Sequence, residues 1–181
     1  SGKIFGTYEG ADYTIKTQID TDKLPLDFFD EYWPNSLKAE SAAQWLTQKL
    51  SIGSFSDVIG TAEFNYNTQS RDFASRDLRL DFAFKDIDID YRPPLMPVHS
   101  AQGTGFLTLD KIDLSVEKAM VQDLKLSNAH VLLDDIFVVG GGMATIGLTL
   151  DGTLPTIFEY ISREPIDLGS ALGFKPQETK G

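Results

Sequence analysis

The stretch Leu80-Asp81-Phe82-Ala83-Phe84-Lys85-Asp86-Ile87-Asp88-Ile89-Asp90-Tyr91 carries the clearest structural pattern in the chain. Its large apolar residues occupy even positions up to Phe84 and odd positions from Ile87 onward. A β-strand places successive side chains on opposite faces, so a one-residue change of phase exchanges the two faces. The stretch therefore predicts two strand segments joined near Lys85-Asp86 by a bulge, a tight turn or a bend of the sheet.

Outward from this stretch, alternating or densely β-branched segments continue over residues of about 54–150. Because no helical pattern separates them, we expect an antiparallel meander of hairpins and not βαβ units. A further hairpin of two strands is predicted for residues 3–20. The strands predicted within the meander are 55–66, 78–84, 87–91, 105–109, 112–116, 121–126, 129–133 and 143–150.

Two segments have helical spacing instead. Residues of about 25–50 predict a pair of short amphipathic helices, because Pro25 suits a first helical turn and Pro34 ends the first helix early. A C-terminal helix is predicted at about 154–162, where the apolar residues fall at i, i+3, i+4 and i+7, starting at Leu154. The residues predicted to anchor the helix pair, in a structural role, are Phe28, Phe29, Trp33, Trp45 and Leu46.

Together these patterns predict an α+β fold that is mainly β. We expect a strongly curved antiparallel sheet, an open half-barrel, with two or three short helices on its concave face or end. The 181 residues suffice for one domain with one core, over residues 1–181. Ser1-Gly2 is typical of an expression scar, so we expect the chain to be a fragment of a longer protein.

The composition excludes several classes of partner. Sixteen Lys and Arg residues against 27 Asp and Glu residues give a net charge of -11, which repels phosphate backbones and anionic membrane surfaces. The absence of cysteine removes thiolate metal sites, disulfides and cysteine nucleophiles. The longest apolar run is interrupted by Gly140-Gly141-Gly142 and is shorter than the roughly 20 residues that span a bilayer. We expect no nucleic acid, no membrane span and no cofactor.

Asp86, Asp88 and Asp90 alternate with apolar residues in a spacing that resembles the start of a calcium-binding loop. An EF-hand requires Gly at the sixth position and Glu at the twelfth, and this chain has Tyr91 and Pro97 there. A solvated strand face explains the alternation without a metal.

The two histidines give no better metal site. His99 and His130 are 31 residues apart and have no helical His-x-x-x-His spacing, which favours two unrelated surface or turn histidines. The run Gly140-Gly141-Gly142 lacks the Lys and Ser or Thr of a phosphate loop and indicates a hairpin turn or bulge. We assign no metal ligand.

A hydrolytic centre is a third-ranked alternative. It would require two carboxylates that converge in a cleft, and the acidic residues are too numerous for the sequence to select a pair among them. No G-x-S-x-G motif occurs. The numerous carboxylates include Asp27, Asp30, Glu31, Asp134 and Asp135, and we assign no catalytic residue.

Apolar strand residues remain as the candidate functional surface. Alternation indicates that one face of the sheet is buried, but it leaves open whether that face meets an ordinary core or a ligand. The candidates for a groove lining are Phe64, Tyr66, Phe82, Phe84, Phe106, Leu124, Leu126, Val131 and Leu133.

The chain resembles the AsmA-like family of Gram-negative envelope proteins, in particular a module of its large, bridge-like members. The most specific part of the resemblance is a Tyr-Trp-Pro motif followed by Ala-x-x-Trp-Leu, and the resemblance covers most of residues 24–181. The segments that carry it are Leu24-Pro25-Leu26 through Tyr32-Trp33-Pro34, Ala43-Gln44-Trp45-Leu46 through Leu50, Gly53-Ser54-Phe55-Ser56-Asp57, Phe84 through Pro94, Gly103-Thr104-Gly105-Phe106-Leu107, and Gly152-Thr153-Leu154-Pro155 through Leu168.

This resemblance implies a periplasmic segment of a longer protein that is anchored in the inner membrane elsewhere in its chain. Such proteins help to move phospholipid between the two envelope membranes, on a curved sheet whose apolar concave side shields acyl chains. The implied partners are phospholipid acyl chains and neighbouring segments of the parent chain, and no catalytic residue is needed. The alternative is a scaffold or interaction segment of the envelope machinery that binds no lipid.

Overall fold

The fold is seen in a computed structural model that describes residues 1–25, 50–90, 94–135, 142–164 and 166–169. These residues form nine strands and one helix. The elements are β1 (Gly2–Glu9), β2 (Asp12–Leu24), β3 (Leu50–Ser51), β4 (Ser54–Asn67), β5 (Phe73–Ile89), β6 (Val98–Thr108), β7 (Lys111–Val121), β8 (Leu124–Asp134), β9 (Met143–Asp151) and α1 (Leu154–Ile161).

All strands belong to one antiparallel sheet in the order β1-β2-β4-β5-β6-β7-β8-β9, and β3 also pairs with β5. β1 and β9 form the two edges, so the sheet is open. Leu50 pairs with Ile89 and Ser54 pairs with Lys85, which places β3 and β4 one after the other along β5. The mainly β character, the antiparallel meander and the hairpin predicted at residues 3–20 are confirmed.

Several predicted strand boundaries were wrong. The predicted strand 121–126 is a hairpin, because β7 ends at Val121 and β8 begins at Leu124 after the two-residue turn Gln122-Asp123. Val121 and Leu124 are both buried although they are three positions apart, a spacing that a straight strand cannot place on one face. The predicted strand 78–84 and the first part of the predicted strand 87–91 belong to the single strand β5, which ends at Ile89, and Tyr91 lies outside the described residues.

The change of phase at Lys85-Asp86 is a bulge within β5. Asp86 has a φ of 55°, and the pairing with β6 shifts between Phe84 and Ile87. Similar left-handed residues lie at register shifts in three other strands, at Asp57 in β4, Ser100 in β6 and Asn128 in β8. A bulge adds one residue to a strand and increases its local bend and twist. A line of bulges therefore extends over the middle of the sheet, from β4 to β8.

One face of the sheet is mainly apolar. The pairing register aligns one row that crosses seven strands from β2 to β9 and contains only apolar residues and one glycine. Rows of this kind bury one face of a sheet at low cost, because no polar side chain loses its water. The row is Ile19, Gly60, Leu80, Leu107, Ile112, Leu133 and Ala144.

α1 packs against part of this face and completes the core. Thr153 caps its N-terminus by accepting a hydrogen bond from Thr156 N, and Pro155 lies in its first turn. Tyr160 is buried among the core residues, and Ile157 and Ile161 pack beside them. The C-terminal helix was predicted, but Leu154 is 60% exposed, and Tyr160 is the residue of α1 that is most buried.

The predicted helix pair lies almost wholly outside the described residues. Its anchors Phe28, Phe29, Trp33, Trp45 and Leu46 fall within residues 26–49, which the structure does not describe. Leu50, predicted as the last residue of the second helix, is instead the first residue of β3. α1 is the one helix with assigned bounds in the described part of the chain.

Candidate functional site

An apolar groove lies on the apolar face, over β4, β5, β6 and β7. Each lining side chain among the described residues is aliphatic or aromatic, so these residues offer the groove no group for acid–base, nucleophilic or metal chemistry. It can exclude water from hydrocarbon. The lining residues are Leu24, Leu50, Phe55, Val58, Leu80, Phe82, Phe84, Ile87, Ile89, Leu107, Ile112 and Leu114.

Glycines in β6 shape the floor of this groove. Gly105 pairs with Phe82 on one side and with Leu114 on the other. A Cβ atom on Gly105 would lie 2.5 Å from Leu114 Cδ2, and one on Gly103 would lie 2.9 Å from Phe84 Cζ. The large side chains of β5 and β7 therefore occupy the space above the backbone of β6, and a larger residue at either glycine would collide with them.

The aromatic side chains of the groove contact one another. Phe55 and Phe82 meet edge to face with their ring centroids 5.1 Å apart, and Phe82 and Phe84 are 6.4 Å apart. Such pairs stabilise the arrangement beyond their buried area, by about 0.5–1.5 kcal/mol each. On β4 and β5, the groove is therefore lined by aromatic rings that contact one another.

The structure separates the nine predicted groove residues into several places. Phe82 and Phe84 line the groove. Leu124 and Leu126 are buried in the core cluster that also contains Tyr160 of α1. The remaining residues on the apolar face are half-buried and do not line the groove: Phe64 and Tyr66 in the distal half of β4, Val131 and Leu133 in β8.

Phe106 was predicted to line the groove, but it lies on the opposite face of the sheet. Its neighbour Leu107 lines the groove, and adjacent residues of a strand point to opposite faces. The Arg79 guanidinium carbon lies 4.3 Å from the centroid of the Phe106 ring, and Lys111 Nζ lies 5.3 Å from it. Both positions of the Phe106-Leu107 pair are apolar, so the sequence could not indicate which of them faces inward.

Four aromatic residues form a row at one end of the apolar face, and the predicted groove lining included only Tyr66 among them. The register pairs Tyr8 with Tyr13, Tyr13 with Tyr66, and Tyr66 with Phe73. Tyr8 is 76% exposed, and its ring stacks on Tyr13 at 5.7 Å. The signal that could have revealed this pair is the hairpin predicted at residues 3–20, since a turn at Gly10 places Tyr8 and Tyr13 opposite each other.

The two histidines bind different aspartates. His130 Nε2 lies 2.7 Å from Asp113 Oδ1, and His99 Nδ1 lies 3.0 Å from Asp88 Oδ2. The His99 hydrogen bond, followed by that from the Ser100 backbone N–H, lowers the pKa of the Asp88 carboxyl. Within the described ranges no group of three or more ligating side chains could hold a metal ion. As far as the chain is described, no helix has the length and hydropathy needed to cross a bilayer.

No known family model, curated protein or solved structure matches the chain. The site is thus characterised by its own geometry, which is an apolar groove continuous with an apolar sheet face. The AsmA-like resemblance remains a prediction from the sequence motifs.

Proposed function

We propose that this chain is a non-enzymatic module that shields phospholipid acyl chains on the apolar face of its sheet. The observation that supports this most is the groove, since all twelve of its lining residues are apolar. Each methylene removed from water contributes about 0.8 kcal/mol, so an acyl chain that lies along the groove and the apolar face beside it would need no polar contact. The headgroup would remain in solvent.

The cellular setting belongs to the same proposal. The AsmA-like motifs point to a periplasmic segment of a longer envelope protein, anchored in the inner membrane, that contributes to phospholipid transport and outer-membrane homeostasis. We also propose that the sheet is strongly curved, with the apolar face concave. The line of bulges through Asp57, Asp86, Ser100 and Asn128 supports this curvature, because each bulge bends its strand.

A scaffold that binds no lipid is the second candidate, and one observation favours it. Leu24 and Leu50 both line the groove, and they flank the segment whose sequence predicts the aromatic helix pair. If that segment occupies the groove, acyl chains are excluded from it. The hydrolase alternative gains no support from Asp88 and Asp110, because their pKa values are lowered, whereas a general acid needs a raised one.

Site-specific photo-crosslinking distinguishes the first two candidates. Benzoylphenylalanine is placed at position 82, on the groove, or at position 106, on the opposite face, and the protein is illuminated with phospholipid vesicles. Acyl-chain shielding predicts a lipid adduct by mass spectrometry at position 82 and none at position 106. Equal labelling at both positions, or none at either, would contradict the proposed function.

A further inference from the structure

Within the described part of the chain, the outer edge of β9 has no pairing strand. β9 contains nine residues, and among the described strands it pairs with β8 alone. An edge strand presents a row of free N–H and C=O groups, which is a template for pairing with another strand. At about 3.4 Å per residue, β9 offers an edge roughly 30 Å long.

β9 also lacks the features that normally protect an edge. From Met143 to Leu150 it contains no charged residue and no proline, and Met143, Ile146 and Leu148 are exposed. The other edge differs, since β1 carries Lys3 and Glu9. In a chain with a net charge of -11, an uncharged edge is the place where a second copy meets the least repulsion.

We propose that β9 pairs antiparallel with β9 of a second copy, about a two-fold axis at Gly147. Closed two-fold dimers are the commonest symmetric assemblies, and their interfaces are self-complementary. In this register Ile146 lies opposite Leu148 of the second copy, and Met143 lies opposite its Asp151. All nine residues are then paired, and no like charges are opposed.

This geometry joins the two apolar faces. A two-fold axis perpendicular to the sheet keeps the same face of both copies on the same side, so Ile146 and Leu148 of one copy continue the apolar face of the other. The dimer is one continuous antiparallel sheet with a single apolar face across both copies. The pairing requires no bound lipid and is independent of the proposed function.

Gly147 offers a direct test in the full 181-residue chain. A Cβ atom there meets no heavy atom within 4 Å, so the fold of one copy accepts a side chain at this position. Gly147→Lys and Gly147→Asp each place like charges face to face at the two-fold axis, whereas Gly147→Ala does not. Dissociation constants of the dimer are measured by sedimentation velocity over a concentration series.

We expect the wild type and Gly147→Ala to dimerise, and each charged variant to raise the dissociation constant roughly twofold to fivefold. Mixing the Lys and Asp variants restores tight association through an opposite-charge pair. Gly6→Lys on β1, where a Cβ atom also meets nothing within 4 Å, leaves the dimer unchanged. A monomeric wild type, a dimer insensitive to Gly147→Lys, or a dimer lost in Gly6→Lys would overturn the proposal.

Discussion

Gly105 lies directly opposite Leu114 in the ladder between β6 and β7, and the Leu114 side chain covers it. A Cβ atom on Gly105 would stand 2.5 Å from Leu114 Cδ2 and 2.8 Å from the Asp113 carbonyl oxygen. Leu114 must therefore shift to make room, and the Asp113 oxygen belongs to the backbone of β7, which cannot shift without disturbing the ladder. The groove over β6 therefore depends on Gly105 having no side chain.

Gly105→Ala should destabilise the protein by about 1–3 kcal/mol, because the added methyl group overpacks this contact. Urea unfolding followed by circular dichroism measures the change. Gly147→Ala, at a position with open space, is the matched control and should be neutral or slightly stabilising. Equal effects at the two glycines would show that contact with Leu114 is not the cause.

Asp86→Val should destabilise the protein by about 1–2 kcal/mol, because a β-branched side chain is disfavoured at the left-handed φ of 55°. Asp86→Gly should be tolerated, since glycine adopts positive φ without strain. The comparison uses the free energy of unfolding in urea. Asp77→Val on the same strand is the control, where valine suits extended backbone; a penalty there as large as at Asp86 would remove the bulge as the explanation.

Asp88 should make stability depend on acid pH. Its pKa is lowered in the folded state by the hydrogen bonds from His99 and the Ser100 N–H, below the ordinary value of 3.8. A lowered folded pKa means that the ionised carboxylate stabilises the fold above pH 3.8, and that this contribution is lost as the pH falls through the folded pKa. Asp88→Asn should therefore differ most from the wild type near neutral pH.

The measurement is the free energy of unfolding of both proteins between pH 2 and pH 7. The difference between them should shrink as the pH falls below about 4. Asp77→Asn, on the same strand but away from His99 and Ser100, is the control and should show no such narrowing. A constant difference between Asp88→Asn and the wild type over the whole range would contradict the linkage.

Thr153→Ala should cost about 0.5–2 kcal/mol, because the first turn of α1 loses the side-chain oxygen that accepts from Thr156 N. Thr153→Ser keeps that oxygen and should lose much less. Thermal unfolding of the wild type and the two variants, in matched scans, measures the difference in stability. If alanine and serine behaved alike, the cap would have no measurable role in holding α1 against the core.

The fold was largely predictable because its signals are local. Alternation along residues 80–91 identified extended backbone, and the phase change at Lys85-Asp86 identified the bulge now seen at Asp86. The spacing of apolar residues after Pro155 identified α1. The turn at Gln122-Asp123 was missed because apolar residues flank it on both sides, so it was interpreted as the middle of a strand.

The candidate site was less predictable. Phe82 and Phe84 were named for the groove, but Leu80, Leu114 and Val58 were not, and Phe106 was placed on the wrong face. A run of two apolar residues such as Phe106-Leu107 has no alternation to assign its faces. Only the register with β5 and β7 separates them, and register is a property of strands that are distant in the sequence.

The sequence by itself determined that this chain forms antiparallel strands, where one strand changes phase, and that the chain carries a net charge of -11 and no cysteine. These properties follow from neighbouring residues and from composition. The tertiary structure alone decided that Gly105 lies beneath Phe82 and Leu114, that Tyr8, Tyr13, Tyr66 and Phe73 form one row, and that β9 is left as an edge. Those properties depend on strand order and register, which are set by packing between segments far apart in the chain.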